Sequence, residues 1–227
     1  METPENLRAL AAYMDHTLLA PTATESQIRT LCAEAAEHHF KTVCVNGSYL
    51  SLAREVLAGT GVGLAAVVGF PLGATSTPAK RCEAEACLEA GATELDMVVN
   101  LGRVKSGDWA YLEAELKTLR KAAPATCLKL ILETCYLDES QKKRLCALAL
   151  DADWDFVKTS TGFGPAGATL EDVALMRLAV SGKLGVKASG GIRNLETALA
   201  YIRAGATRIG TSSAVGILGE ARAHFPG

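Results

Sequence analysis

The chain has 227 residues, 49% of them hydrophobic and only 5% aromatic, with a formal net charge of −2. That length fills one α/β barrel as a single domain over residues 1–227, and the aliphatic composition suits helices packed on a parallel sheet. The near-neutral charge without a long basic run argues against nucleic acid or a membrane surface as partner, and no apolar stretch approaches the roughly 20 residues of a spanning helix. The opening METPENLRAL lacks the basic-then-apolar layout of a signal peptide. Seven cysteines (32, 44, 82, 87, 127, 135 and 146), odd in number and without CxxC spacing, read as free thiols of a reducing cytoplasm.

A helix is predicted over 4–12, and eight β-like runs then alternate with amphipathic helices. Strand 13–18 precedes helix 24–39, strand 41–46 precedes helix 48–58, and strand 64–70 precedes helix 77–90. Strand 94–99 leads to helix 107–122, and strand 127–133 to helix 138–150. Strands 155–159, 185–189 and 207–211 lead to helices 169–181, 194–204 and 213–222. Thr24, Ser48, Thr77, Asp138, Thr169 and Asn194 stand at N-cap positions, with Gln27 and Gln141 completing capping boxes. Gly59, Gly91, Gly182 and Gly205 sit just past helix ends. Eight such units with right-handed crossovers close most simply into a (β/α)8 TIM barrel preceded by a short N-terminal helix. An open doubly wound sheet would want GxGxxG after its first strand, and Asp15-His16-Thr17-Leu18-Leu19-Ala20 has no glycine.

Strand side chains alternate, so parity assigns faces. Leu95, Met97 and Val99 suit the helix side, which turns Glu94, Asp96 and Val98 inward. The same argument turns Lys129, Ile131, Glu133, Lys158, Lys187, Cys44, Asp15 and Thr17 inward. The barrel mouth is therefore expected to hold Asp15, Asp96 and Glu133 against Lys129, Lys158 and Lys187, with signs balanced as buried charge requires. An ion-pair network that only fills the mouth is the competing structural reading.

Two strands each place one lysine before a glycine turn: Phe156-Val157-Lys158-Thr159-Ser160-Thr161-Gly162-Phe163, and about thirty residues on Gly185-Val186-Lys187-Ala188-Ser189-Gly190-Gly191. A lysine amine attacks a carbonyl only when neutral, which at pH 7 requires a drop of roughly three pKa units, or about 4 kcal/mol. A second ammonium ~5 Å away supplies about 3 kcal/mol at an effective dielectric near 20, and desolvation can add the rest. Lys158 is thus a candidate Schiff-base nucleophile tuned by Lys187, while Asp96 could hold a water and shuttle protons. Lys187 could alternatively bind a phosphate or carboxylate, and Asp96 could be a plain counter-ion. Gly190-Gly191 after strand seven and Gly210-Thr211-Ser212-Ser213 after strand eight stand where barrels commonly bind phosphate, and Arg193 can add a donor. His16, His38, His39 and His224 show no metal-ligand spacing, and no Asp/Glu/His cluster demands a metal. Cys44 is expected to line the site.

Four motifs carry a resemblance: Asp15-His16-Thr17-Leu18-Leu19, Glu94-Leu95-Asp96-Met97-Val98, and the segments Phe156–Phe163 and Val186–Arg193. Together they resemble the deoxyribose-phosphate aldolase family, over residues 13 to 219. The resemblance implies a class I aldolase that needs no metal or cofactor. It would reversibly cleave 2-deoxy-D-ribose 5-phosphate to D-glyceraldehyde 3-phosphate and acetaldehyde in deoxyribonucleoside catabolism. It further implies that Lys158 forms the Schiff base, Lys187 tunes it and Asp96 joins in proton transfer. Gly162, Gly190, Gly191, Ser212 and Ser213 would line the phosphate site, with Asp15, Thr17, Cys44, Thr159 and Gly210 also in substrate contact. The expected partners are small phosphosugars and aldehydes, and a homo-oligomer (dimer or tetramer) in the cytoplasm. Longer members carry a C-terminal tail with a tyrosine near the site. This sequence ends at His224-Phe225-Pro226-Gly227, so no tail-assisted proton step is expected. A pyridoxal-phosphate barrel enzyme and a phosphosugar-binding regulator are the competing readings, and only the former would colour the purified protein.

Overall fold

Eight parallel strands close into a barrel in sequential order, each hydrogen-bonded to the next and the last to the first. A computed structural model describes residues 4–225, and the chain end at Pro226-Gly227 lies outside the described residues, as does the side chain of His224. The strands are β1 (Met14–Leu18), β2 (Thr42–Val45), β3 (Gly63–Val68), β4 (Glu94–Val98), β5 (Cys127–Ile131), β6 (Phe156–Lys158), β7 (Gly185–Ser189) and β8 (Arg208–Thr211). The helices are α1 (Leu7–Ala11), α2 (Glu25–His38), α3 (Leu50–Val56), α4 (Thr77–Glu89), α5 (Leu101–Lys105), α6 (Trp109–Ala122), α7 (Glu139–Asp151), α8 (Leu170–Ala179), α9 (Leu195–Ala204) and α10 (Ala214–His224). The closed order excludes the open doubly wound sheet.

Local chemistry explains most boundaries. Thr24 and Asp138 form full capping boxes with Gln27 and Gln141, and Thr169 and Asn194 cap α8 and α9. Three sequence expectations need correction. Ser48 lies inside a 3-10 turn over Gly47–Tyr49 and caps nothing. Ser76, not Thr77, caps α4, because Pro78 fits the first turn, where its missing N–H is no loss. The helix expected over 107–122 is preceded by a separate one-turn helix, α5, whose start Asn100 caps and which ends before Gly107 at φ +68°.

Parity holds around the barrel. Leu95, Met97, Val99, Leu128, Leu130, Leu132, Val157 and Val186 all belong to the apolar layer between barrel and helices. Inside, Cys44, Ala65 and Val67 from β2 and β3 join Leu19 in a separate small apolar cluster. The interior is therefore divided: β2 and β3 supply uncharged side chains, Cys44, Ala65 and Val67 with the hydroxyl of Thr42, and the other six strands supply charge. His16 turns outward to α2, where its Nε2 lies 2.7 Å from Glu34 Oε2.

A buried ion pair steadies the strand that carries Asp96. Lys80 Nζ on α4 donates to Glu115 Oε2 on α6 and to the Val98 carbonyl at the end of β4, both at 2.9 Å. Glu115 also accepts from the Thr77 hydroxyl at 3.1 Å. Such a pair adds little net stability over apolar residues, but its geometry is exacting because neither charge can be left alone.

Candidate active site

The inward side chains form a closed ring of alternating charge. Arg208 donates to Asp15 Oδ1 through Nε at 2.8 Å and also through Nη2. Asp15 Oδ2 pairs with Lys187 Nζ at 2.5 Å. Lys187 donates to Asp96 Oδ2 at 2.7 Å, and Lys129 donates to Asp96 Oδ1 at 2.6 Å. Lys129 reaches Glu94 Oε2 at 2.6 Å, and Glu94 accepts from Arg208 Nη2 at 2.9 Å, which completes the circuit. All six side chains are buried. Lys158 stands outside this ring and donates to Asp96 Oδ2 at 2.8 Å.

Register explains why the two lysines of the sequence motifs meet. Lys158 on β6 and Lys187 on β7 are Cα partners, as are Lys187 and Arg208 on β8. Bonds of 2.8 and 2.7 Å to one oxygen put the two amines no more than about 5.5 Å apart. Burial pushes the Lys158 amine below its ordinary value; Asp96 opposes this and Lys187 reinforces it. Lys187 goes the other way: burial opposes it, but Asp15 and Asp96 hold its ammonium above the usual lysine range. Against the cost of burial, Lys129, Lys158 and Lys187 hold Asp96 well below the usual carboxylate range. The arrangement thus sets an amine pushed toward its neutral form beside a more persistent cation, the direction that carbonyl attack requires.

Lys158 is also the member of this group that lines a cavity of about 460 Å³. The loops after β6, β7 and β8 also line that cavity, through Gly162, Gly190, Gly191, Arg193 and Ser212. Gly190 and Gly191 have φ of +89° and +82°, conformations that side chains rarely adopt. A Cβ on Gly190 would lie 2.8 Å from Gly167 Cα, so two loop backbones touch there. Gly210 has another use: a Cβ there would stand 2.9 Å from Lys187 Cε, so the missing side chain makes room for that amine. Gly190→Ala is expected to destabilise the fold by about 1–3 kcal/mol through overpacking and strain. It should also raise KM for a phosphorylated substrate far more than for an unphosphorylated one, which steady-state kinetics with both would check.

Several residues singled out in the sequence sit elsewhere than expected. Thr17, Gly162, Gly190, Gly191, Gly210 and Ser212 line the cavity, but Asp15, Cys44, Thr159 and Ser213 are not among its lining residues. Asp15 is held beneath by Lys187 and Arg208. Cys44 belongs to the inner apolar cluster, where burial first and Asp96 second push its thiol up and so keep it protonated. The Thr159 hydroxyl donates to the Ser189 carbonyl at 3.2 Å and clamps β6 to β7. The Ser213 N–H donates to Thr211 Oγ1 at 2.9 Å at the start of α10.

Glu133 is the clearest correction. It leaves the strand in a left-handed conformation, φ +54°. Its carboxylate accepts from the Thr161 N–H at 3.2 Å and from the Thr161 hydroxyl, and so secures the loop after β6 instead of balancing the lysines. Sequence reasoning missed Arg208, the cation that faces Asp15 and Glu94. The signal was present: Arg208 and Gly210 share a face of β8, and Gly210 faces the mouth. Among the described residues, no group of three or more His, Cys, Asp or Glu is placed to hold a metal ion, and no helix is long and apolar enough to cross a membrane.

Comparison with known proteins agrees with this geometry. The family described as DeoC/LacD family aldolase matches residues 9–218. This chain belongs to that family. As a DeoC/LacD aldolase it is similar to the deoxyribose-phosphate aldolase of Deinococcus radiodurans, 50% identical over 210 residues that cover 92% of this chain and 96% of that protein. The corresponding enzyme of Actinobacillus succinogenes is 49% identical over 93% of this chain and 94% of its own length. Among solved structures, a tetrameric deoxyribose phosphate aldolase from Aeropyrum pernix superposes with a TM-score of 0.89 at 35% identity, covering 96% of this chain and 93% of that one.

Proposed function

We propose that this family member is a class I aldolase that reversibly cleaves 2-deoxy-D-ribose 5-phosphate to D-glyceraldehyde 3-phosphate and acetaldehyde through a Schiff base on Lys158. One observation carries the reading: Lys158 is a buried amine pushed toward neutrality that lines the same cavity as the glycine loops after β6 and β7. The phosphate of the open-chain sugar binds the backbone of the loops after β7 and β8, with Arg193, Ser212 and the start of α10 nearby. Lys158 attacks C1, and loss of water gives an iminium. Deprotonation of the C3 hydroxyl then breaks the C2–C3 bond. The bonding pair moves into an enamine, which neutralises the Lys158 nitrogen.

Asp96 is the natural proton store for this step. While Lys158 carries the iminium charge, three cations hold the Asp96 proton affinity down. As the enamine forms, one of those charges vanishes and the carboxylate becomes more basic. A water entering with substrate, shared by Asp96 and Lys187, links it to the C3 hydroxyl. The same water returns the proton to C2, and hydrolysis frees acetaldehyde and the amine.

The free thiols support a reducing, cytoplasmic setting, and the tetrameric relative supports a homo-oligomer, which sedimentation velocity would size. The test of the reaction is borohydride reduction in the presence of acetaldehyde, followed by peptide mass spectrometry. An ethyl group on Lys158 is the expected result. Label on Lys187 instead would reverse the two roles, and tight phosphosugar binding with neither label nor turnover would favour the regulator.

A further inference from the structure

The proposed reaction needs one neutral amine among four buried cations, and the ring of charges selects which. Its three carboxylates each have two cationic partners before Lys158 is counted: Asp15 has Arg208 and Lys187, Asp96 has Lys187 and Lys129, and Glu94 has Lys129 and Arg208. Three positive and three negative charges close on themselves in a water-poor interior. Lys158 is a fourth cation with no carboxylate of its own.

We propose that Arg208 and Glu94 are positioning residues for the Schiff-base step, because they close the ring and so make Lys158 the surplus amine. Neither lines the cavity, so both act through Asp15, Lys129 and Asp96. Arginine suits the closing position because its guanidinium stays charged at any working pH and can serve two carboxylates at once. Arg208 does so, and its Nη2 also lies 3.5 Å from Thr42 Oγ1, with its guanidinium carbon 5.7 Å from the centre of the Phe156 ring.

Asp96 from β4, Lys187 from β7 and Cys44 from β2 act on Lys158 directly, and Asp15 from β1, Glu94 from β4, Lys129 from β5 and Arg208 from β8 are the other charged groups joined to them in the ring. β3 contributes Ala65 and Val67 instead. If Arg208 loses its charge, the interior is balanced with Lys158 protonated, and the amine should hold its proton to higher pH. Arg208 lies two strands from Lys158, roughly 10 Å. At an effective dielectric near 20, one charge at that range is worth about one pH unit.

The experiment is the pH dependence of kcat/KM, and of borohydride trapping, in the full chain and four variants. This inference rests on the Schiff-base reading, and a wild-type enzyme that shows no label on Lys158 would refute that reading separately. With labelled wild type, Arg208→Gln should move the acidic limb up by about one pH unit, and Arg208→Lys should leave it in place. Glu94→Gln should move it down by a similar amount, and the double variant Glu94→Gln/Arg208→Gln should return it to the wild-type position. A purely structural role would lower activity or Tm without moving the limb. Coincident limbs in wild type, Arg208→Gln and Glu94→Gln would overturn the proposal. If Arg208→Gln does not fold, Glu94→Gln and the double variant decide the matter: a Glu94→Gln limb that stays at the wild-type position, or a double-variant limb displaced from it, refutes the proposal.

Discussion

Lys158→Met is expected to abolish covalent trapping of acetaldehyde and to lower kcat by roughly 10⁴–10⁶-fold, the scale on which loss of a covalent nucleophile is felt. The protein should nonetheless stay folded and gain stability. Lys158 is buried with its amine pushed below the value it has in the unfolded chain, first by desolvation. Below that unfolded value the unfolded chain binds the extra proton, so Lys158 favours unfolding across the neutral range. Methionine has a similar shape and none of this cost. The sign also fixes the activity profile of the wild type. The neutral form reacts, so activity should fall as pH drops through the folded-state value of Lys158 and recover fully on raising pH. Thermal melts, trapping and a pH–rate profile of both proteins check the set.

Asp96→Asn carries the second large effect. Asp96 has both oxygens engaged by three lysines in a site closed to solvent. Removing its charge leaves an excess of buried cations, and breaking a buried network in this way costs about 3–5 kcal/mol. For a chain of this size that is a drop in Tm of roughly 10 °C or more. Turnover should collapse as well, since the carboxylate that takes the proton in the proposed mechanism is gone. The pH dependence has a definite sign. Asp96 is held well below its ordinary value of 3.8 in the folded state. Its contribution to stability is therefore complete above that value and is lost as pH falls toward the folded-state value. Guanidinium denaturation should show a constant wild-type advantage at neutral pH that shrinks below about pH 4. An equal advantage at pH 7 and pH 3 would mean that shape, not charge, is what the variant loses.

Strand periodicity made most of this visible before any coordinates. Lys158 and Lys187 were legible as inward amines because each sits beside an outward valine in a short apolar run, and a closed barrel brings their strands together. Asp96, Lys129 and Asp15 followed from the same alternation. The partners of those charges were not legible. Alternation says which way Glu133 starts, but not that its backbone turns left-handed and carries the carboxylate over to Thr161. Glu94 and Arg208 are contacts between strands remote in sequence, and one strand's pattern says nothing about reach across the barrel. The loops after β6 to β8 were legible as glycines but not as contacts, since the Thr159 hydroxyl is spent on the Ser189 carbonyl and the Ser213 N–H on the Thr211 hydroxyl, partners that only the folded loops supply. The break before α6 was missed because Asn100 caps a helix of one turn, too short to show a period.

Asp15 and Arg208 are bonded across 193 positions of chain, one on the first strand and one on the last. An emerging polypeptide that has not yet released its eighth strand has Asp15 but no Arg208, and cannot complete the circuit. The charge balance around Lys158 is therefore completed only when the first and last strands meet, so closing the barrel and setting that balance depend on the same contact.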